Sequence, residues 1–206
     1  MSDLVIYGDG VSGNCLKVKW CAARLGLDAT WRETSVLQGA TRTPEFLALN
    51  PAGQVPFVQF PDGEGLAQSN AIVLTLNERH GGDMLPAEPK QRAQVLQWLF
   101  WEQYSHEPSI AVRRFHKAFL GKDDDAIDPA LKAKGDAALG LMNEELANRD
   151  FLVGAAFTLA DLALVAYTRV ADEGGFDLDE FPRVRDWVIR IEKILDIPAG
   201  EGRATN

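Results

Sequence analysis

The chain has 206 residues, 46% apolar and 25% charged, a make-up that suits a globular protein with one large core or two small ones. Its formal charge of −9, with no basic stripe to offset it, excludes nucleic acid as the default partner. No apolar run reaches the length of a membrane span and the N-terminus lacks a signal-peptide pattern, so a cytoplasmic protein without a membrane partner is expected. In chain order, Leu4 to Tyr7 reads as a short buried strand that Gly8-Asp9-Gly10 breaks. Val18, Cys21, Ala22 and Leu25 then fall at helical spacing within a helix from about Asn14 to Leu25. Gly26 is placed to stop that helix, and Ala29 to Thr34 alternates like a second strand. A polar loop at Gln38–Thr43 leads to a short helix opening near Pro44. Val55 to Phe60 gives a third strand, Gly65 to Ala67 a fourth, and Ser69 to His80 a helix ended by Gly81-Gly82.

Residues 82–89, rich in glycine and proline, read as a linker between a domain at 1–81 and a second at 90–206. Everything beyond the linker reads as helix. A long aromatic-rich helix runs from Gln91 to about Phe119 with a kink near Pro108. Pro129 fits the first turn of a helix continuing to Asn148. Thr158 with Asp161 forms a capping-box pattern ahead of a strongly apolar helix, and a last helix starts near Pro182. The fold class expected is an α/β N-terminal domain joined to an all-α C-terminal domain.

Cys15 and Cys21 are the only cysteines. Six residues apart on one helix, at ~100° per residue, they point in different directions and do not bridge. The three histidines share no ligand spacing with them, and no metal is expected.

The densest pattern is Leu49-Asn50-Pro51-Ala52-Gly53-Gln54-Val55-Pro56-Phe57-Val58, followed by Gln68-Ser69-Asn70-Ala71-Ile72. Proline cannot donate to a strand ladder, so Pro56 belongs at a strand's first residue or edge. If the Val55–Pro56 bond is cis, the Val55 backbone faces outward, able to pair with an extended peptide. Ser69 at a helix start offers hydroxyl and amide to a carboxylate where the dipole favours negative charge. Together these features suit a small anionic peptide.

With Ser12-Gly13-Asn14-Cys15 after the first strand, this pattern resembles the glutathione transferase family along nearly the whole chain. The resemblance implies a thioredoxin-like N-terminal domain that binds glutathione as co-substrate, a helical domain that shapes a second-substrate pocket, and a homodimer. It implies that Val55, ahead of Pro56, pairs with the cysteinyl unit, that Gln68 and Ser69 hold the γ-glutamyl end, and that Gln38 and Gln54 serve the glycyl end unless they are only solvated loop polars. Gln68 departs from the glutamate common in the family and removes a counter-charge for the ligand's ammonium.

A free thiol with a pKa of about 8.5 is mostly protonated near neutral pH, so the catalyst must stabilise the thiolate beside a helix N-terminus. Ser12 is the first candidate for that donor and Asn14 the second. Ser12 as a plain helix cap is the alternative. Cys15 is either a reactive thiol able to form a mixed disulfide or a buried first-turn residue. The turn departs from the Ser-Ser-Cys-Ser of the maleylacetoacetate isomerase branch. Its Ser-x-Asn spacing is similar to a bacterial branch that reduces disulfides with two glutathiones. Trp98, Trp101, Tyr104 and Arg113 are candidates to line the second-substrate pocket, their aromatic face being otherwise core or subunit interface. The reaction expected is attack of the glutathione thiolate on a small electrophile. Disulfide reduction is the alternative, and a non-catalytic scaffold on the same fold the reading from another class.

Overall fold

The computed structural model describes residues 4–204 and divides into two units, Met1–Asp83 and Met84–Asn206. The first unit is built on a four-stranded sheet, β1 (Leu4–Gly8), β2 (Ala29–Glu33), β3 (Phe57–Gln59) and β4 (Gly65–Ala67), in the order β2-β1-β3-β4. β1 pairs in parallel with β2, while β3 runs antiparallel to β1 and β4. A parallel pair needs a crossover, and α1 (Gly13–Arg24) supplies it. Leu4, Ile6 and Gly8 alternate onto the buried side of β1. Gly8 has no alternative there, because an added Cβ would lie 2.3 Å from the Trp31 ring.

Gly26, with φ at +66°, ends α1 as its spacing predicted. α2 (Pro44–Leu49) follows, with Pro44 in its first turn and the Thr43 hydroxyl accepting from the Phe46 N–H. The third strand is shorter than Val55–Phe60. Pro56 cannot join the ladder, and at the other end Phe60 turns the hairpin by accepting from the Gly63 N–H and donating to the Glu64 carbonyl. The sheet then feeds α3 (Ser69–Arg79), which packs against α1.

The second unit is helical: α4 (Pro89–Trp101), α5 (Glu107–Arg114), α6 (Pro129–Glu145), α7 (Leu159–Thr168) and α8 (Pro182–Leu195). α7 is buried along its whole length, packed by α4, α5 and α8. The single long helix expected up to Phe119 is interrupted twice by π turns, at Glu102–His106 and Phe115–Phe119. The first falls just ahead of Pro108. There the Glu107 N–H reaches back to the Glu102 carbonyl, one residue further than in an α-helix, and the ring of Pro108 enters without breaking the rod. Among the described residues no helix is long and apolar enough to cross a membrane.

Candidate functional site

The turn from β1 into α1 is organised by Asp9. Its carboxylate accepts from the Val11 N–H at 3.1 Å and from the Val36 N–H at 2.8 Å, and its carbonyl accepts from the Ser12 N–H at 3.0 Å. Ser12 is the N-cap residue of α1, with extended backbone at φ −84° and ψ 117°, and its carbonyl accepts from the Cys15 and Leu16 amides. Its side chain makes no capping hydrogen bond, so the hydroxyl is not committed to the helix's own amides. It lies against Cys15 instead. That thiol is fully buried, and desolvation pushes its pKa up to about 12 against the opposing hydrogen bond with the Ser12 side chain. Of the two readings of Cys15, the buried one matches its place in the structure. Cys21, also buried, is raised to about 12 by the same cause.

Between α2 and β3, the Asn-Pro-Ala-Gly turn is held by Asn50. Its Nδ2 donates to the Gln54 carbonyl at 2.7 Å and its carbonyl accepts from the Gly53 N–H at 2.9 Å. Gly53 is needed because its φ is +59° and a Cβ would stand 2.6 Å from Arg42 Nη1. The Val55–Pro56 bond is cis. Val55 is half-buried, and among the described residues no hydrogen bond takes up its N–H or C=O. Gln54 and Gln38 are both exposed in loops, the Gln38 N–H donating to Ser35 Oγ at 3.3 Å.

Gln68 joins β4 to α3 with φ 72° and ψ 108°, a conformation strained for any residue but glycine. It sets Ser69 at the first position of α3. Ser69 is 5% exposed, and its hydroxyl donates to Asn14 Oδ1 at 3.0 Å. Beside this contact, Lys17 Nζ donates to Asn70 Oδ1 at 3.2 Å from a fully buried side chain. These polar ties join the N-terminal ends of α1 and α3. Of the residues singled out in the sequence, Asn14 and Ser69 are brought into direct contact.

Asp9, Lys17 and the backbone of Gln68 were not legible as site features. Gly8-Asp9-Gly10 reads only as a strand breaker, and a lysine in an amphipathic helix reads as solvated. The signal for Lys17 was its spacing from Asn14 and Cys21, at i+3 and i−4, which puts all three on one face. Nothing in the sequence announces a strained glutamine.

In the helical unit, Trp98 and Trp101 meet edge to face with centroids 5.1 Å apart. Trp101 and Tyr104 line a cavity of about 630 Å³ with Ser105, Pro108, Lys134 and Leu141, and Tyr104 is 88% exposed. Trp98 lines a smaller cavity of about 230 Å³ with Trp101. Arg113 lines neither of these cavities. It is buried, its Nε donates to the Gly174 carbonyl at 2.8 Å, and its guanidinium pairs with Asp124. Lys117, with Arg113, holds the Asp124 carboxyl below the usual range. The sequence shows an arginine near aromatic residues but not the carbonyl and carboxylate that claim it. Among the described residues no cluster of three or more His, Cys, Asp or Glu side chains could hold a metal ion.

Residues 11–79 match the family model for the glutathione S-transferase N-terminal domain, and residues 100–194 that for the glutathione S-transferase C-terminal domain. A glutathione S-transferase structure from Pseudomonas fluorescens is 44% identical, with a TM-score of 0.88 over 93% of this chain and 95% of that one. One from Xanthobacter autotrophicus is also 44% identical, with a TM-score of 0.86 over 92% of each chain. Glutathione S-transferase D7 of Drosophila melanogaster is 27% identical over 199 residues, covering 94% of this chain and 86% of that protein. With both halves matched, a thioredoxin-like sheet domain and a helical domain, the chain belongs to the glutathione S-transferase family and is a glutathione transferase.

Proposed function

We propose that the protein activates the thiol of glutathione for attack on a small electrophile, with Ser12 as the principal donor to the thiolate and Asn14 assisting. The observation that carries this reading is the 3.0 Å bond from Ser69 to Asn14, which joins an anion-favouring helix start to the turn that bears both thiol-side candidates. Bound between them, the tripeptide has its γ-glutamyl carboxylate at Ser69 and Gln68, where the amides at the start of α3 and the helix dipole stabilise negative charge. Its cysteinyl unit pairs with the Val55 backbone ahead of cis-Pro56, and its glycyl end meets Gln38 and Gln54. Its sulfur then lies at the start of α1, beside a hydroxyl that no helix amide has claimed.

A thiol of pKa about 8.5 gives up its proton near neutral pH when such donors favour the anion. Attack on the electrophile forms the carbon–sulfur bond as the leaving group departs. No protein thiol takes part, since Cys15 and Cys21 are both buried and protonated. Within the helical unit, Trp101 and Tyr104 are the residues proposed for the second substrate. Residues 1–81 act as the glutathione domain and 90–206 as the second-substrate domain. The working form is a cytoplasmic homodimer.

Calorimetric titration with reduced and oxidised glutathione, followed by turnover with an activated aryl halide, tests the reading. Reduced glutathione is expected to bind more tightly than the oxidised form, with binding weakened in Ser69→Ala. Ser12→Ala is expected to lower kcat by about 100-fold, the low end for removing a donor to a developing anion, and Asn14→Ala by less. Tighter binding of the oxidised form would favour disulfide reduction. Full turnover in Ser12→Ala with none in Asn14→Ala would reverse the two roles. No binding of either form at millimolar ligand would end the enzymatic reading of this site.

A further inference from the structure

The contact between Ser69 and Asn14 joins two groups that the glutathione reading assigns to different units of the ligand, the γ-glutamyl carboxylate and the cysteinyl sulfur. A serine hydroxyl has one proton to donate. In the structure that proton goes to Asn14 Oδ1 at 3.0 Å, and Ser69, at 5% exposure, is too buried to gain a water for every change of partner. A carboxylate is an acceptor only. One that arrives at the first turn of α3 and bonds the Ser69 hydroxyl must take the proton that Asn14 now receives.

We infer that the Ser69 hydroxyl is a shared donor, passed from the Asn14 side chain to the γ-glutamyl carboxylate, so that occupation of the glutamyl end breaks the bond between Ser69 and Asn14. The inference rests on the glutathione reading of this site and deepens it. Three observations support the direction of the exchange. A charged acceptor binds a hydroxyl about twice as strongly as a neutral amide carbonyl does. The carboxylate, unlike the amide, also gains from the N-terminal end of the 11-residue helix α3. Finally, the neighbouring tie from Lys17 to Asn70 does not use the Ser69 hydroxyl. α1 and α3 therefore stay joined while the hydroxyl changes partner.

The test is a double-mutant cycle read by affinity for a glutathione analogue in which a methyl group replaces the thiol, so that nothing depends on the sulfur. Removing a competing acceptor should help the ligand. Asn14→Ala is expected to bind the analogue roughly two- to tenfold more tightly than the parent protein, the size of one net hydrogen bond. In a Ser69→Ala background the same change is expected to shift affinity by less than about twofold, because there is no hydroxyl to compete for. Asn14→Leu, close in volume and without an acceptor, repeats the test if the alanine variant folds poorly. A merely structural contact would behave oppositely, with Asn14→Ala weakening the analogue in both backgrounds. That result, or no change with Ser69 present, overturns the shared-donor inference while leaving glutathione binding intact. Failure of the parent protein to bind both reduced glutathione and the analogue would overturn the site reading as well.

Discussion

At Cys15 two effects of known sign compete. A helix N-terminus favours a thiolate, and a low-pKa cysteine in this position is a common route to a reactive sulfur. Burial disfavours the charged form, and here it wins: the side chain is fully enclosed and its pKa stands at about 12. Near neutral pH such a thiol stays in its protonated form. Alkylation of the folded protein by iodoacetamide is therefore expected to proceed no faster than its unfolding. Cys15→Ala is expected to keep turnover within about twofold while lowering stability by about 1 kcal/mol through lost packing. Rapid modification of Cys15 in the native state, tracked by mass spectrometry with loss of activity, would contradict this assignment. Gln68 shows the complementary case, in which local energy is given up rather than gained. Its φ of 72° carries a cost of about 1–3 kcal/mol, at the residue that aims the start of α3.

Among the elements, α7 depends most on a single side chain. Asp161 accepts from the Thr158 N–H and hydroxyl through one carboxylate oxygen, and through the other from the Leu152 N–H and the Trp187 indole, all within 3.0 Å. The capping box read from Thr158 and Asp161 is thus half of a larger node that ties the 152 loop and α8 to the start of α7. Asp161→Ala leaves several buried donors without a partner, and a loss of about 3 kcal/mol is expected from denaturant titration. Thr158→Ala should cost about 1–2 kcal/mol. Burial raises the folded-state pKa of Asp161, with the four donors pulling against it. Between its unfolded value, about 4, and the raised folded value, the native chain holds more protons than the unfolded one. The contribution of Asp161 to stability therefore falls as pH rises through that window. The stability difference between the parent protein and Asp161→Asn should shrink in the same direction; growth with pH would mean that the donors outweigh desolvation. The cap was legible because its spacing is local, as were Gly26 at a helix stop and Pro44, Pro129 and Pro182 in first turns. The Trp187 and Leu152 bonds were not, because they join residues 26 and 9 positions from Asp161. The π turns at 102–106 and 115–119 were hidden for another reason: each adds one residue, about 100° of phase, and the apolar pattern alone does not separate such a shift from a second apolar face. Within the site the turn residues stood out in the sequence, whereas the bond that couples Ser69 to Asn14 spans 55 positions.

For the molecule as a whole, the charge of −9 sets a constraint on how an anionic ligand is held. Glutathione carries two carboxylates and one ammonium, so the global field opposes its approach. The stabilising groups proposed at the site are short-range: amides at the start of α3, the Val55 backbone, the Ser12 and Ser69 hydroxyls. Salt separates the two contributions, because screening acts over distance. Raising ionic strength from about 0.01 M to about 0.15 M shortens the Debye length from about 30 Å to about 8 Å. That change removes most of the repulsion from distant acidic residues while leaving contacts at 3 Å nearly untouched. The dissociation constant for reduced glutathione is therefore expected to stay level or to improve by up to about threefold across that range, measured by calorimetry at fixed pH. A site that relied instead on attraction by exposed basic side chains would lose affinity as salt rose, as anion binding by surface charge does. A tenfold weakening would show that an attractive field of exposed cations, and not the hydrogen bonds at the ends of α1 and α3, carries the binding.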